Sequence, residues 1–250
     1  MNQQELKEFL DYKADYYENP DFIGTDPIQL VHLYSKKADR EIVALLMATI
    51  AWGNRKAIIA SGNKLRELMG NSPYDFVMNA QADNIHFVHR TFNGVDLAAF
   101  FQSLKHIYTN LGSLEQAFQT GTDNPGAMER IVAFRTHFLT DLFPHRTRKH
   151  IADPLRNSSA KRLNMFLRWM VRSEQKGVDF GLWKSISASE LQLPLDVHTG
   201  NISRKLGLLE RTQNDWKSVE ILGEKLRQFD AEDPCKYDFA LFGLGAFEGF

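Results

Sequence analysis

The sequence contains a single cysteine, Cys235, among 250 residues. One thiol cannot form an internal disulfide, and it cannot supply a four-cysteine zinc site or a cysteine-held iron–sulfur cluster. Long apolar runs are also missing. None approaches the roughly 18 residues that a membrane-spanning helix needs, so no membrane partner is expected and a cytoplasmic location is. Strict polar–apolar alternation is nearly absent, no internal repeat is visible, and no low-complexity linker cuts the chain. The eight histidines show no paired spacing with carboxylates, so neither a metal nor another cofactor is expected. A net excess of charge is lacking too: 30 basic side chains oppose 31 acidic ones, for a balance of −1. The chain as a whole is not the strongly basic domain that nucleic-acid proteins often are.

What is present is helical periodicity. The segment 41–51, EIVALLMATIA, is apolar around its whole circumference and reads as a central core helix ended by Trp52, Gly53 and Asn54. Ile58, Ile59, Leu65, Leu68 and Met69 give the next helical stripe, closed by Gly70, Ser72 and Pro73. Further helices are predicted over 95–111 and 128–142, and Ser113 with Gln116 has the spacing of a capping box. With 43% hydrophobic residues there is material for one large domain or two lobes. The fold class is all-α.

Charge is unevenly spread. From His145 to Arg172, eight basic residues (Arg146, Arg148, Lys149, Arg156, Lys161, Arg162, Arg168 and Arg172) face Asp153 alone, a local balance of +7 that leaves −8 for the rest. Such a field would attract a polyanion. The helix predicted over 160–172 buries Leu163, Phe166, Leu167, Met170 and Val171 on one side. Stepping about 100° per residue aligns Met165, Arg168 and Arg172 with Lys161, which predicts an exposed cationic column. Ser158 and Ser159 are its expected N-caps. Lys161 falls in the first turn, where the helix dipole opposes its charge.

Downstream lies LPLDVHTGNISRKLGL, residues 193–208. Pro194 sets a turn, Asp196 takes the N-cap position of a helix running to Lys205 or Leu206, and Gly207 ends it. An aspartate N-cap alone is a common structural device worth about 1 kcal/mol. The whole pattern, however, resembles the loop-and-aspartate signature of the helix-hairpin-helix (HhH-GPD) DNA glycosylases. In that superfamily a hairpin of the form Leu-Pro-Gly-Val-Gly-x-Lys precedes it and holds DNA phosphates. Here the matching stretch is Leu155-Arg156-Asn157-Ser158-Ser159-Ala160-Lys161, with both glycines absent. The segment 41–54 is similar to the superfamily's first core helix, and 233–245 to its closing segment, so the resemblance spans roughly 40–247. Thirty-five positions separate Lys161 from Asp196, with 173–191 as an insertion. That spacing is closest to the archaeal 8-oxoguanine glycosylase branch, with an uncharacterised bacterial family within the superfamily as the other assignment.

The resemblance implies a two-lobed helical fold with its active-site cleft between the lobes, lobe one being 1–40 plus 197–250 and lobe two 41–196. It implies Asp196 and Lys161 as the catalytic pair of a glycosylase with abasic-site lyase activity on an oxidised purine. Cleaving an N-glycosidic bond builds positive charge on the sugar, which a carboxylate stabilises, and a free amine at Lys161 would attack C1′ to form a Schiff base. The implied partner is double-stranded DNA carrying a damaged base, with no obligate protein partner. Arg156, Asn157, Ser158, Ser159, Arg162 and His198 are the expected phosphate contacts, Asn54 the reader of the opposite strand, and Trp52 and Trp169 the base pocket, with Phe166, Trp183 and Phe247 as further aromatics in reach. Two other readings stand beside this one: a non-catalytic nucleic-acid-binding protein of the same fold, and a helical protein-interaction domain whose basic column meets an acidic partner.

Overall fold

The computed structural model describes residues 1–79 and 85–250. Among them are twelve α-helices: α1 Gln3–Tyr17, α2 Gln29–His32, α3 Lys37–Ile50, α4 Arg55–Met69, α5 Pro73–Asn79, α6 Gly94–Asn110, α7 Leu114–Ala117, α8 Ala127–Phe138, α9 Lys161–Val171, α10 Val197–Lys205, α11 Trp216–Arg227 and α12 Tyr237–Ala246. The only sheet among the described residues is the hairpin β1 Val88–His89 with β2 Phe92–Asn93. The fold is all-α, and no described helix is long and apolar enough to cross a membrane.

The chain divides into two compact units, Met1–Phe22 with Asp153–Phe250, and Ile23–Ala152. The lobe boundaries expected at 40/41 and 196/197 are therefore corrected to 22/23 and 152/153. The reason is packing: α9 lies in the first unit because its arginines bond Glu18 beyond α1 and Asp233 and Asp238 beside and on α12.

In the second unit α3 is the hub, buried from Glu41 to Ile50 as its apolar circumference predicts. Its fully buried acid, Glu41, accepts the Tyr108 hydroxyl at 2.7 Å. Asn54 caps α4 by accepting from the N–H groups of Lys56 and Ala57, and Gly70 closes that helix at φ 64°. Ser113 caps α7 by accepting the Gln116 N–H. Phe92, Phe100, Phe118, Phe134 and Phe138 form the aromatic heart.

In the first unit α12 is apolar apart from Asp238 in its first turn, and it packs against both α1 and α10. Two glycines make this approach possible. A Cβ on Gly243 would lie 2.1 Å from the Tyr17 ring, and one on Gly245 would press on Ile202 at 3.2 Å. The aliphatic stripe of α9 is buried as predicted. Its other face is not the solvent-facing column that periodicity implied. Arg168 and Arg172 are each 4% exposed and are surrounded by carboxylates, so this expectation is corrected. The insertion 173–191 helps to close them in: Phe180 and Trp183 donate their N–H groups to the carbonyls of Trp169 and Met170, carrying Asp179 onto both arginines.

Candidate active site

Between Asp153 and Lys161 the chain makes a tight turn without glycine. Asp153 accepts the N–H of Leu155 and opens a 3₁₀ turn at Pro154–Arg156. Asn157, at the first glycine position of the hairpin pattern, takes the left-handed conformation at φ 62°. Asparagine tolerates that region better than most side-chain-bearing residues. It is then tied down: Asn157 Nδ2 donates to Asp215 Oδ2 at 3.0 Å, and the Asn157 carbonyl accepts the Trp216 N–H. A second left-handed residue, the buried Ala160 at φ 47°, precedes α9.

Ala160, and not Ser158 or Ser159, is thus the N-cap, and it makes no side-chain cap bond. Ser158 turns its hydroxyl to the Ala160 N–H instead, while the Ser159 carbonyl receives Asn164 Nδ2 at 3.0 Å. Ala160 therefore offers no capping side chain to the first turn of α9, where Lys161 sits.

Asp196 is built from the other direction. Leu193, Pro194 and Leu195 are buried and anchor the approach, and Asp196 Oδ1 accepts the Thr199 N–H at 2.9 Å to cap α10. Asn214 Nδ2 grips the Asp196 carbonyl at 3.0 Å, and Asn214 is itself held by Arg204. Gly200 makes room for this clasp, since a Cβ there would sit 2.5 Å from Asn214 Oδ1. Nothing in the spacing of Asn214 announced the role.

These two constructions meet. Lys161 Nζ lies 2.7 Å from Asp196 Oδ2, with the lysine side chain 35% exposed and the aspartate 20%. Burial disfavours the charged Asp196 carboxyl. The charge and hydrogen bond of Lys161, the Thr199 N–H and the His198 charge outweigh it, and together they hold the group below its ordinary value. The result is an ionised carboxylate and an amine side by side within one unit, in partial contact with solvent.

The other residues singled out by sequence separate into groups. Arg156 is exposed, 3.8 Å from Asp153, and His198 is exposed at the first turn of α10. Arg162 is half-buried, which pushes its guanidinium below the usual value. Asn157 is committed to docking the turn on α11. Trp169, at 1% exposure, is buried in the core, as are Phe166 and Trp183. Phe247 is exposed and stacks on Tyr17. Trp52 and Asn54 belong to the second unit. There Trp52 is half-buried between the His89 ring and the Arg90 guanidinium, 4.9 Å from its ring centre, and Asn54 is the α4 cap.

Residues 26–247 match the profile of a family described as proteins of unknown function, DUF2400. The chain belongs to that family. No curated protein and no solved structure matches this DUF2400 chain.

Proposed function

We propose that this DUF2400 protein is a base-excision DNA glycosylase with abasic-site lyase chemistry, acting on an oxidised purine in double-stranded DNA, without a cofactor and in the cytoplasm. The observation that carries the reading is the 2.7 Å approach of Lys161 to Asp196 at the N-terminus of α9. A helix start of this kind favours a phosphate, and it brings the sugar of the same nucleotide toward the pair.

In this reading Asp196 stabilises positive charge developing at C1′ as the bond to the base lengthens. The bond's electron pair leaves with the base, which takes up a proton. Lys161 passes its proton along its hydrogen bond or to water, and the free amine attacks C1′. The ring oxygen departs and takes a proton, leaving a protonated Schiff base. Loss of a C2′ proton then expels the 3′ phosphate. Arg156, His198 and the first-turn amides of α9 would hold the backbone.

The interaction-domain reading loses its main surface, because Arg168 and Arg172 are buried and paired. A structural reading of Asp196, as cap and salt-bridge partner only, is the competitor that remains. An oligonucleotide with one 8-oxoguanine, incubated with borohydride, separates them. The wild type should yield a covalent adduct, Lys161→Gln none, and Asp196→Asn about 100-fold less. No adduct and no abasic product across a panel of oxidised bases would overturn the proposal.

A further inference from the structure

The proposed chemistry makes no use of an arginine that the second unit displays on an aromatic ring. Hairpin residues His89 and Phe92 pair across a two-residue loop, Arg90 and Thr91. Arg90 enters that loop at φ 55°, in the left-handed region that glycine or asparagine normally supplies in such a turn. Buried His89 anchors the loop. Its Nε2 donates to the Trp52 carbonyl at 3.2 Å, which leaves Nδ1 to accept the Ser61 hydroxyl at 2.9 Å. The hairpin is thereby tied both to α4 and to the turn that precedes it.

The Arg90 guanidinium then lies 4.9 Å from the centre of the Trp52 ring. Gly53, at φ 104°, leaves the room for it: a Cβ there would stand 2.5 Å from Arg90 Nη1. Arg90 is nevertheless exposed, and it has no carboxylate partner among the described residues. An exposed cation–π contact stabilises by less than a left-handed arginine costs, so stability alone does not account for the arrangement. The neighbouring sequence is one-signed. From Ile42 to Arg66 there is no aspartate or glutamate, whereas Arg55, Lys56, Lys64 and Arg66 all fall there. Lys56 and Lys64 are exposed on α4, which starts at Arg55, just after the turn that Arg90 covers.

We propose that Arg90 is a DNA-binding residue: its guanidinium, set in place by Trp52 and Gly53, takes a phosphate of the duplex backbone, and the basic residues of α4 add charge of the same sign. A guanidinium held against a ring keeps its N–H edge in the plane, where two donors can meet two phosphate oxygens. The contact positions the backbone and touches no reacting atom. It rests on the proposed function only in taking DNA as the partner, not in the chemistry at Lys161.

The test uses the full chain and a fluorescently labelled duplex without a lesion, with anisotropy read from about 50 to about 200 mM salt. Arg90→Gly removes the guanidinium and suits the left-handed turn. It should bind about tenfold more weakly at the lower salt and reduce the salt slope by about one, with a urea midpoint no lower than wild type. Lys105→Ala, at an exposed position on α6 of the same unit, should change neither affinity nor slope. Wild-type affinity in Arg90→Gly, or an equal loss in Lys105→Ala, overturns the inference. If Arg90→Gly lowers the urea midpoint, Arg90→Lys decides, since it keeps the charge and loses the fork. Weaker binding on the wild-type slope then supports the inference, and wild-type affinity or a changed slope overturns it. Binding that depends on Arg90 without any borohydride adduct would sink the glycosylase reading and leave this inference in place. An adduct with binding indifferent to Arg90 would do the reverse, and a wild type that does not bind the duplex would overturn both.

Discussion

Replacing Arg172 with Met distinguishes a buried ion cluster from a solvated helix face. Methionine keeps much of the apolar stem that packs near Phe239 and removes only the guanidinium. In the native unit that group makes six hydrogen bonds to Glu18, Asp179 and Asp233. Glu18 and Asp179 are 5% and 2% exposed, so neither can recover its losses from water. Breaking a buried pair by removing one partner costs about 3–5 kcal/mol. Asp233 is closer to solvent and Arg168 still serves Asp179, so about 4 kcal/mol at pH 7 is a fair expectation. On a surface column the same change would cost about 0.5 kcal/mol or less. Urea unfolding followed by tryptophan fluorescence is the assay, since Trp169, Trp183 and Trp216 belong to this unit and only Trp52 to the other. The pH dependence adds a second check. Burial raises the Glu18 carboxyl even with Arg172 beside it, and without Arg172 it rises further. An acid raised in the folded state opposes folding once ionised, so the variant should lose stability relative to wild type as pH climbs from 4.5 to 7. A cost below about 1 kcal/mol at both pH values would refute the cluster.

Two further outcomes follow from the same geometry. At the turn before α9 the left-handed residues set the rule: Asn157→Val should destabilise by about 2 kcal/mol, whereas Ala160→Gly should be neutral or stabilising by up to about 1 kcal/mol. Equal urea midpoints for Asn157→Val and Asn157→Gly would show that the backbone conformation does not select the residue. Asp238, raised to about 6 from 3.8, makes the folded state hold the extra proton between those values. Its contribution to stability therefore falls as pH rises through that window and is level above it. Asp238→Asn should flatten that part of the stability–pH curve, and parallel curves for the two proteins from pH 4 to 7 would contradict it.

Features fixed by near neighbours were legible in the sequence. The all-apolar circumference of α3, the buried stripe of α9, the Asp196 cap and the Gly70 and Gly207 stops each depend on residues within a turn or two, and each is in place. Features fixed by distant partners were not. Periodicity put Arg168 and Arg172 opposite the apolar stripe correctly, but the acids that bury them come from residues 18, 179, 233 and 238. No local pattern announces those pairings. The hairpin was half legible. Its missing glycines were plain, yet a left-handed φ is a property of position as well as residue type, and Asn157 supplies it with a side-chain tie to Asp215. The choice of Ala160 as the second left-handed residue has no signal in the sequence.

The contrast within α9 bears on the proposed chemistry. Arg172 is hydrogen-bonded to three carboxylates and Arg168 is paired with two, and both are closed to solvent, as suits a structural cation in a low-dielectric interior. Lys161 lies in line with them but differs in each respect: it pairs with Asp196, keeps a third of its side-chain surface open, and stands at the end of the helix where positive charge is least favoured. A lysine placed only for stability gains little there, since a part-exposed pair contributes about 1 kcal/mol or less. In the proposed chemistry the open face of Lys161 is what admits a reactant. Lys161 and Asp196 are close enough to exchange a proton.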